Sequence, residues 1–293
     1  RYVREKTGND WYGLRFERIL PNEESLPRVV LFAGCRNITV TDVTMTGQPG
    51  GWTFWVSDCE YVSFGRCRIL ANVEYPNNDG IHINSSRNVT VSDCIIETGD
   101  DCIVVRALNR TLKQKSECRN VVVTNCTLKT PCYGIRIGYT GDGVVRDCVF
   151  SNLVFTDCFN GIGIQLPERK KNDYGFEESV IDNLTFSNVQ MSRISHFPIE
   201  IVIADSDETP VKFIGNLRFC GITCTSVCFP SIKGRKSNYI ENVTFDNCSF
   251  TLIPKEEGGC QWRNVHPNYD YSPYFKTKFC KNLIINNTLF NTL

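Results

Sequence analysis

Two short motifs place three aspartates within a small stretch of this chain: Asn77-Asn78-Asp79-Gly80 and Gly99-Asp100-Asp101-Cys102. Asp79 and Asp101 are 22 residues apart, about the length of one turn of a coiled sheet. Wound that way, three carboxylates meet on one surface. Crowded like charges repel, so such a cluster is costly unless it handles protons or holds a metal. Asn-Asp-Gly and Gly-Asp-Asp are also ordinary turn sequences, in which Asp79 and Asp101 would only cap turns. The element that carries them decides between these readings.

That element is a repeat. Asparagine, an aliphatic residue, any residue, Val or Phe, any residue, then Asn or Asp recurs as NITVTDV from Asn37, NVTVSDC from Asn88 and NVVVTNC from Asn120. It continues as NLTFSNV from Asn183, NLRFCGI from Asn216, NVTFDNC from Asn242 and NLIINNT from Asn282, with degenerate copies at Tyr61 and Asp147. The copies follow one another at steps of 24 to 40 residues, a period that marks a solenoid. Each alternates apolar and polar residues with period two, as a strand does. GIHI, CIVV, GIRI and GIGI supply further short strands, and helical periodicity is missing. The sequence therefore predicts an all-β chain, a right-handed parallel β-helix of about nine coils spanning roughly 40 Å.

Strand register then places side chains. With Ile81/Ile83, Ile103/Val105, Ile135/Ile137 and Ile162/Ile164 inward, their neighbours point out. One outward column holds Asp79, Asp101, Tyr133 and Asn160. The next holds His82, Val104, Arg136 and Gly163, and a third holds Asn84, Arg106, Gly138 and Gln165. Trp52 and Trp55 fall on the first two columns one coil earlier, and Asp100 sits at the bend beside Asp101. Carboxylates, arginines and aromatic rings on one face suit a sugar, whose hydroxyls need hydrogen-bond partners and whose C–H faces pack on rings. Glycoside hydrolysis needs one acid to protonate the leaving oxygen and a carboxylate to activate water. Bland alternatives stand beside these roles. His82 could be structural, Arg106 and Arg136 could form a solvated ion-pair face, and Trp52 and Trp55 could pack the end of the core.

Composition narrows the field. Lys+Arg and Asp+Glu both number 32, so formal charge is zero, and no global field favours nucleic acid or an anionic membrane. No apolar run reaches the ~18–20 residues that span a bilayer. Sixteen cysteines occur without a CxxC pair. The four-residue spacing of Cys220, Cys224 and Cys228 would suit a helix face, but the local sequence is β-like, so no metal is expected there. Cys67, Cys94, Cys126 and Cys248 share one place in the repeat, and Cys35, Cys59, Cys118 and Cys280 another, which predicts two buried ladders of free thiols. The repeated Asn predicts an amide ladder along the stack, and its sequons are by-products of the repeat. Residues 254–281 are polar, aromatic and irregular, and are expected to form a lip or end cap on a single domain spanning 1–293. The chain starts at Arg1 rather than Met, the expectation being a processed chain or fragment.

At its aspartates the chain resembles glycoside hydrolase family 28, the polygalacturonases and rhamnogalacturonases. The resemblance rests on NNDG and GDD, which match the family's NTDG and Asp-Asp motifs in type, order and spacing. LPRVVLFAGCRNITV and SSRNVTVSDC are also similar to the family's coils, and residues 26–165 carry most of the likeness. It implies a right-handed parallel β-helix and an inverting hydrolase without cofactor, with Asp100 as general acid and Asp79 and Asp101 activating water. Two motifs depart. Cys132-Tyr133-Gly134 stands where the family has Gly-His-Gly, and Gly163-Ile164-Gln165 where it has Arg-Ile-Lys, whose basic residues grip a galacturonate carboxylate. Either Arg136 and Arg106 restore that grip from a shifted position, or the sugar is a different or neutral one. The family's N-terminal coils are mostly absent and are expected on a missing segment.

The leading expectation is a glycosidase of a pectic or related plant glycan, with a carbohydrate as partner and no nucleic acid or membrane. A non-catalytic glycan-binding β-helix is the second reading. A lyase or isomerase is the third, in which Arg136 would act as base and the aspartates could hold calcium. Localisation is balanced: a plant polymer favours export, free thiols favour a reducing cytoplasm, and the balance leans slightly to the cytoplasm. Sugar, linkage, endo or exo action and oligomeric state stay open.

Overall fold

The computed structural model describes residues 28–48, 51–73, 77–108, 116–168, 177–206, 209–260, 271 and 273–292. The chain forms a right-handed parallel β-helix. One sheet stacks nine strands among the described residues, in chain order: Val30–Ala33, Phe54–Ser57, Ile81–Asn84, Ile103–Arg106, Tyr133–Ile137, Asn160–Leu166, Ile199–Ile203, Ser231–Lys233 and Lys276–Lys278. A second, larger sheet wraps the other faces, and the strand ladders are parallel throughout. Lys276–Lys278 lies in the stretch expected to be irregular. Its Lys-Thr-Lys sequence carries no apolar alternation, yet Thr277 pairs with Ile232 and extends the sheet. The start of that stretch is a 3-10 turn, Lys255–Glu257, after which the Gly259 N–H bonds the Arg193 carbonyl at 2.8 Å. Residues 261–270 and 272 lie outside the described residues.

The repeat works through its corners. Its first position takes a left-handed backbone in all nine copies, from Asn37 (φ 57°) through Tyr61, Asn88, Asn120, Asp147, Asn183, Asn216 and Asn242 to Asn282 (φ 54°). The sixth position does the same, from Asp42 and Arg66 to Asn247, with glycine at 221. Asn and Asp tolerate this region because their short polar side chains bond locally, whereas most L-residues lose about 1–2 kcal/mol there. Two such corners per coil turn the strand from face to face. The amide ladder is present: Asn242 Nδ2 donates to Asn216 Oδ1 and Asn282 Nδ2 to Asn242 Oδ1, each at 2.9 Å.

Between the corners, alternate side chains fill the interior. Phe150, Phe186, Phe219 and Phe245 stack in a column with ring centroids 4.7, 5.0 and 5.0 Å apart. Ile81, Ile103, Ile135, Ile162 and Ile199 form another, in register on the nine-stranded sheet. The cysteines of both predicted ladders are free thiols; Cys35 and Cys280 are partly covered and the rest are buried. A continuous apolar core thus backs the nine-stranded sheet, and the outward columns of that sheet stand on rigid strands. Among the described residues no helix is long and apolar enough to cross a membrane.

Candidate active site

The two aspartate motifs lie one coil apart and are stapled together. The Asn78 side-chain oxygen accepts the Gly99 N–H at 2.6 Å, and its amide donates to the Asn72 carbonyl at 2.8 Å. Asn77 takes a left-handed φ of 56° and aims its N–H at Asp100 Oδ2, 3.1 Å away. Gly80 passes so close to the next coil that a Cβ there would stand 2.4 Å from the Cys102 carbonyl oxygen. The Thr98 and Thr130 hydroxyls both donate to the Asp100 carbonyl. Each residue of NNDG thus has a positional task, and the result is three aspartate side chains on the rim of one cleft of about 140 Å³.

The carboxylates have different surroundings. Asp79 is 5% exposed and Asp101 is 3% exposed, whereas Asp100 is half-buried. Burial, then the charges of Asp100 and Asp101, push the Asp79 pKa well above the ordinary carboxylate value. Burial and Asp100 raise Asp101 as well, against the pull of Arg136. Asp101 Oδ1 accepts the Tyr133 N–H at 3.1 Å, and its Oδ2 lies 3.5 Å from Arg136 Nη1. Asp100 accepts two backbone N–H groups, those of Asn77 and Asp101. The cleft therefore offers both a carboxyl that resists ionisation and carboxylates held by donors.

His82 lies in the cleft wall behind Asp79. Its Nδ1 is 3.1 Å from Asp79 Oδ2, and the ring is stacked on Trp52 with centroids 3.7 Å apart. Burial, then Arg106, Arg28 and Arg136, push its pKa well down, so the imidazole is neutral near pH 7. Trp52 Nε1 donates to Asn77 Oδ1 at 2.7 Å, and the Arg28 guanidinium lies 3.7 Å over the Trp52 ring. Trp55 pairs in register with His82 and meets Trp52 edge-on. The lining is completed by Val104, Arg106, Arg136 and Tyr139. Arg106 makes a two-pronged bond to the buried Asp142, at 3.0 and 2.7 Å, and stands over Tyr139.

Tyr133, Gln165 and Trp55 are not part of the cleft lining. Tyr133 and Gln165 meet instead one or two coils away, around Glu200. Tyr133 Oη donates to Glu200 Oε2 at 2.7 Å, and Gln165 Nε2 donates to the same oxygen and to Tyr133 Oη. Arg28, Tyr139, Asp142 and Glu200 are residues that motif reading passed over, and Asn77 entered only as part of the NNDG turn. Glu200 follows Gly163 in the second outward column, so extending that column by one strand would have found it. Asp142 carries no sequence signal, since it reaches Arg106 from a connecting turn.

Among the described residues, Asp100, Asp101 and Cys132 are the one group of three acid or thiol side chains with ligand atoms within 4.8 Å of each other. Calcium takes six to eight oxygen ligands, and a set containing a thiol, with Asp79 bonded to His82 instead, does not suit it. A larger recess of about 250 Å³ lies elsewhere, between Cys35, Cys59 and the ion pairs of Glu60 with Arg36 and Arg87, and contains none of the expected site residues.

Over residues 5–288 the chain matches the family described as Glycosyl hydrolases family 28. Polygalacturonase-2 of Solanum lycopersicum is 28% identical over 286 residues, 96% of this chain and 56% of that protein. A polygalacturonase of Nicotiana tabacum is 31% identical over 173 residues, 55% of this chain and 40% of that protein. The chain spans about half the length of the curated relatives it matches. Among solved structures, an exopolygalacturonase from Thermotoga maritima shares the fold with a TM-score of 0.68 and 18% identity, over 92% of this chain and 57% of that one. The polygalacturonase from Erwinia carotovora does so with a TM-score of 0.61 and 21% identity, over 78% of this chain and 57% of that one.

Proposed function

Because the chain belongs to glycosyl hydrolases family 28, we propose that it hydrolyses glycosidic bonds of a pectic or related plant glycan, with Asp79, Asp100 and Asp101 as the working carboxylates. The observation that carries this reading is the stapled pair of motifs, which fixes three carboxylates in one cleft walled by Trp52, His82 and Arg136. Asp100, the most exposed of the three, protonates the leaving oxygen. Asp79 and Asp101, each two residues before one of two adjacent strands spaced about 4.8 Å apart along the stack, hold a water and take its proton as it attacks the opposite face of the sugar, which inverts the anomeric centre. His82 keeps the Asp79 carboxyl oriented, and Arg136 holds Asp101 and reaches the substrate. Trp52 offers the apolar edge of the cleft. The β-helix acts as a single domain.

One observation favours a second assignment of the proton. Asp79 is the carboxyl that burial and repulsion push well up, so it would be the acid if the proton stays where the free site holds it. Substrates with an activated aryl leaving group separate the two, because a good leaving group needs no general acid. The first assignment predicts that Asp100→Asn loses at least about 100-fold on a natural oligosaccharide and recovers most of it on the aryl glycoside. Recovery by Asp79→Asn and not by Asp100→Asn would transfer the role to Asp79.

A further inference from the structure

Tyr133, Gly163, Gln165 and Glu200 form one packed unit beside the carboxylate cleft. Tyr133 and Arg136 share one strand; Arg136 pairs with Gly163 on the next strand, and Gly163 with Glu200 on the one after. Gly163 has no side chain because the Tyr133 ring lies over it; a Cβ there would stand 2.5 Å from Tyr133 Cδ1. The ring is thereby held flat against the sheet, and its hydroxyl is delivered to Glu200. Burial, then the Glu200 charge, keeps that phenol protonated, so it acts as donor. Gln165 spends its amide nitrogen on Tyr133 and Glu200, which leaves its carbonyl oxygen as what it can offer a ligand. Gln165 and Glu200 are half-buried, while Tyr133 beneath them is 9% exposed. The surface next to the cleft is therefore made of acceptors.

The nearby cations do not reverse this. Arg136 lies 3.5 Å from Asp101 on one side and in the field of Glu200 on the other. Arg106 is matched by Asp142. Lys233 also faces Glu200, two strands beyond Gln165 in the third column. A sugar carboxylate set here would meet Glu200 and cations already matched to carboxylates, whereas sugar hydroxyls would find acceptors. Like charges crowded on one surface cost affinity, and oxygen acceptors select hydroxyl donors.

The geometry points to Gln165 and Glu200, held in place by Tyr133, as a specificity patch that takes a neutral, hydroxyl-bearing sugar unit next to the cleaved bond and rejects one carrying a free carboxylate. This rests on the glycan-hydrolase reading of the same cleft, and the two can fail separately. The test uses matched pectic oligosaccharides: one all free galacturonate, one with its carboxyls methyl-esterified, and one alternating galacturonate with a neutral sugar. Binding is measured to the Asp100→Asn protein and hydrolysis with the parent chain. The expected result is at least about tenfold tighter binding and higher kcat/KM for a ligand presenting a neutral unit. Glu200→Gln should narrow that ratio by admitting the acid. Tyr133→Phe should narrow it too, by freeing Glu200 and Gln165, while thermal unfolding stays close to the parent's. Free galacturonate oligomers bound as tightly as the others, with the ratio unmoved in Glu200→Gln, would overturn the inference. A clear binding preference with no hydrolysis of any oligosaccharide would overturn the hydrolase reading and leave the patch standing.

Discussion

At the scale of single residues, the burial of Asp79 sets its proposed role against stability. Its folded pKa lies above the unfolded value of 3.8. Between those two values the folded state holds more protons than the unfolded one, so stability falls as pH rises through that window. The cost is complete above the folded pKa and absent below about 3.8. Asp79→Asn should therefore raise Tm at pH 7, with the gain vanishing as pH falls toward 3.8, while kcat drops at least about 100-fold. Melting curves across pH, read beside rates, check both parts; a variant no more stable than the parent at pH 7 would contradict the placement of Asp79. The acid limb of the parent's pH–rate profile should also lie above the ordinary carboxylate range near 4, since the base must ionise and burial resists it. The aspartates were legible because motif and spacing are local. The Arg106–Asp142 pair, 36 residues apart, and the His82–Trp52 stack were not, because only folded coils bring them together.

At the scale of elements, the corner asparagines carry information that periodicity alone missed. The amide ladder is readable from their recurrence, but the left-handed backbone that makes them necessary is not, because an apolar–polar period carries no sign of φ. Asn242, at φ 56°, both donates to Asn216 and accepts from Asn282. Asn242→Ala should lose both bonds and strain the corner, costing about 2–3 kcal/mol. Asn242→Gly should cost less, because glycine adopts the corner freely. Urea titration ranks the two, and an Ala variant as stable as the Gly variant would refute the corner argument. Inside the coils, Phe186 sits between Phe150 and Phe219. Phe186→Ala should remove about 3–5 kcal/mol, seen as a lower denaturant midpoint. The strand Lys276–Lys278 shows the opposite limit of sequence reading. It is short and polar, and its neighbour rather than its own pattern makes it a strand.

At the scale of the whole molecule, the solenoid acts as a ruler. Stacked strands set the carboxylates, Arg136 and the Tyr133–Glu200 unit along one face in a fixed order, and a polymer lying across the strands would meet them in turn. The order of the columns was legible from register, since every copy of the repeat keeps the same phase. The grouping of Tyr133, Gln165 and Glu200 was not, because the three stand in three different columns and Glu200 is 67 residues from Tyr133. The central claim is that this face cleaves glycosidic bonds through its aspartates with inversion. Proton NMR of pectic oligosaccharides during the first turnovers tests it most directly, with the parent chain and Asp100→Asn side by side. The account predicts a new reducing end that appears first as the inverted anomer with the parent and is nearly absent with Asp100→Asn. A retained anomer, an unsaturated product, or equal turnover by both proteins would contradict it.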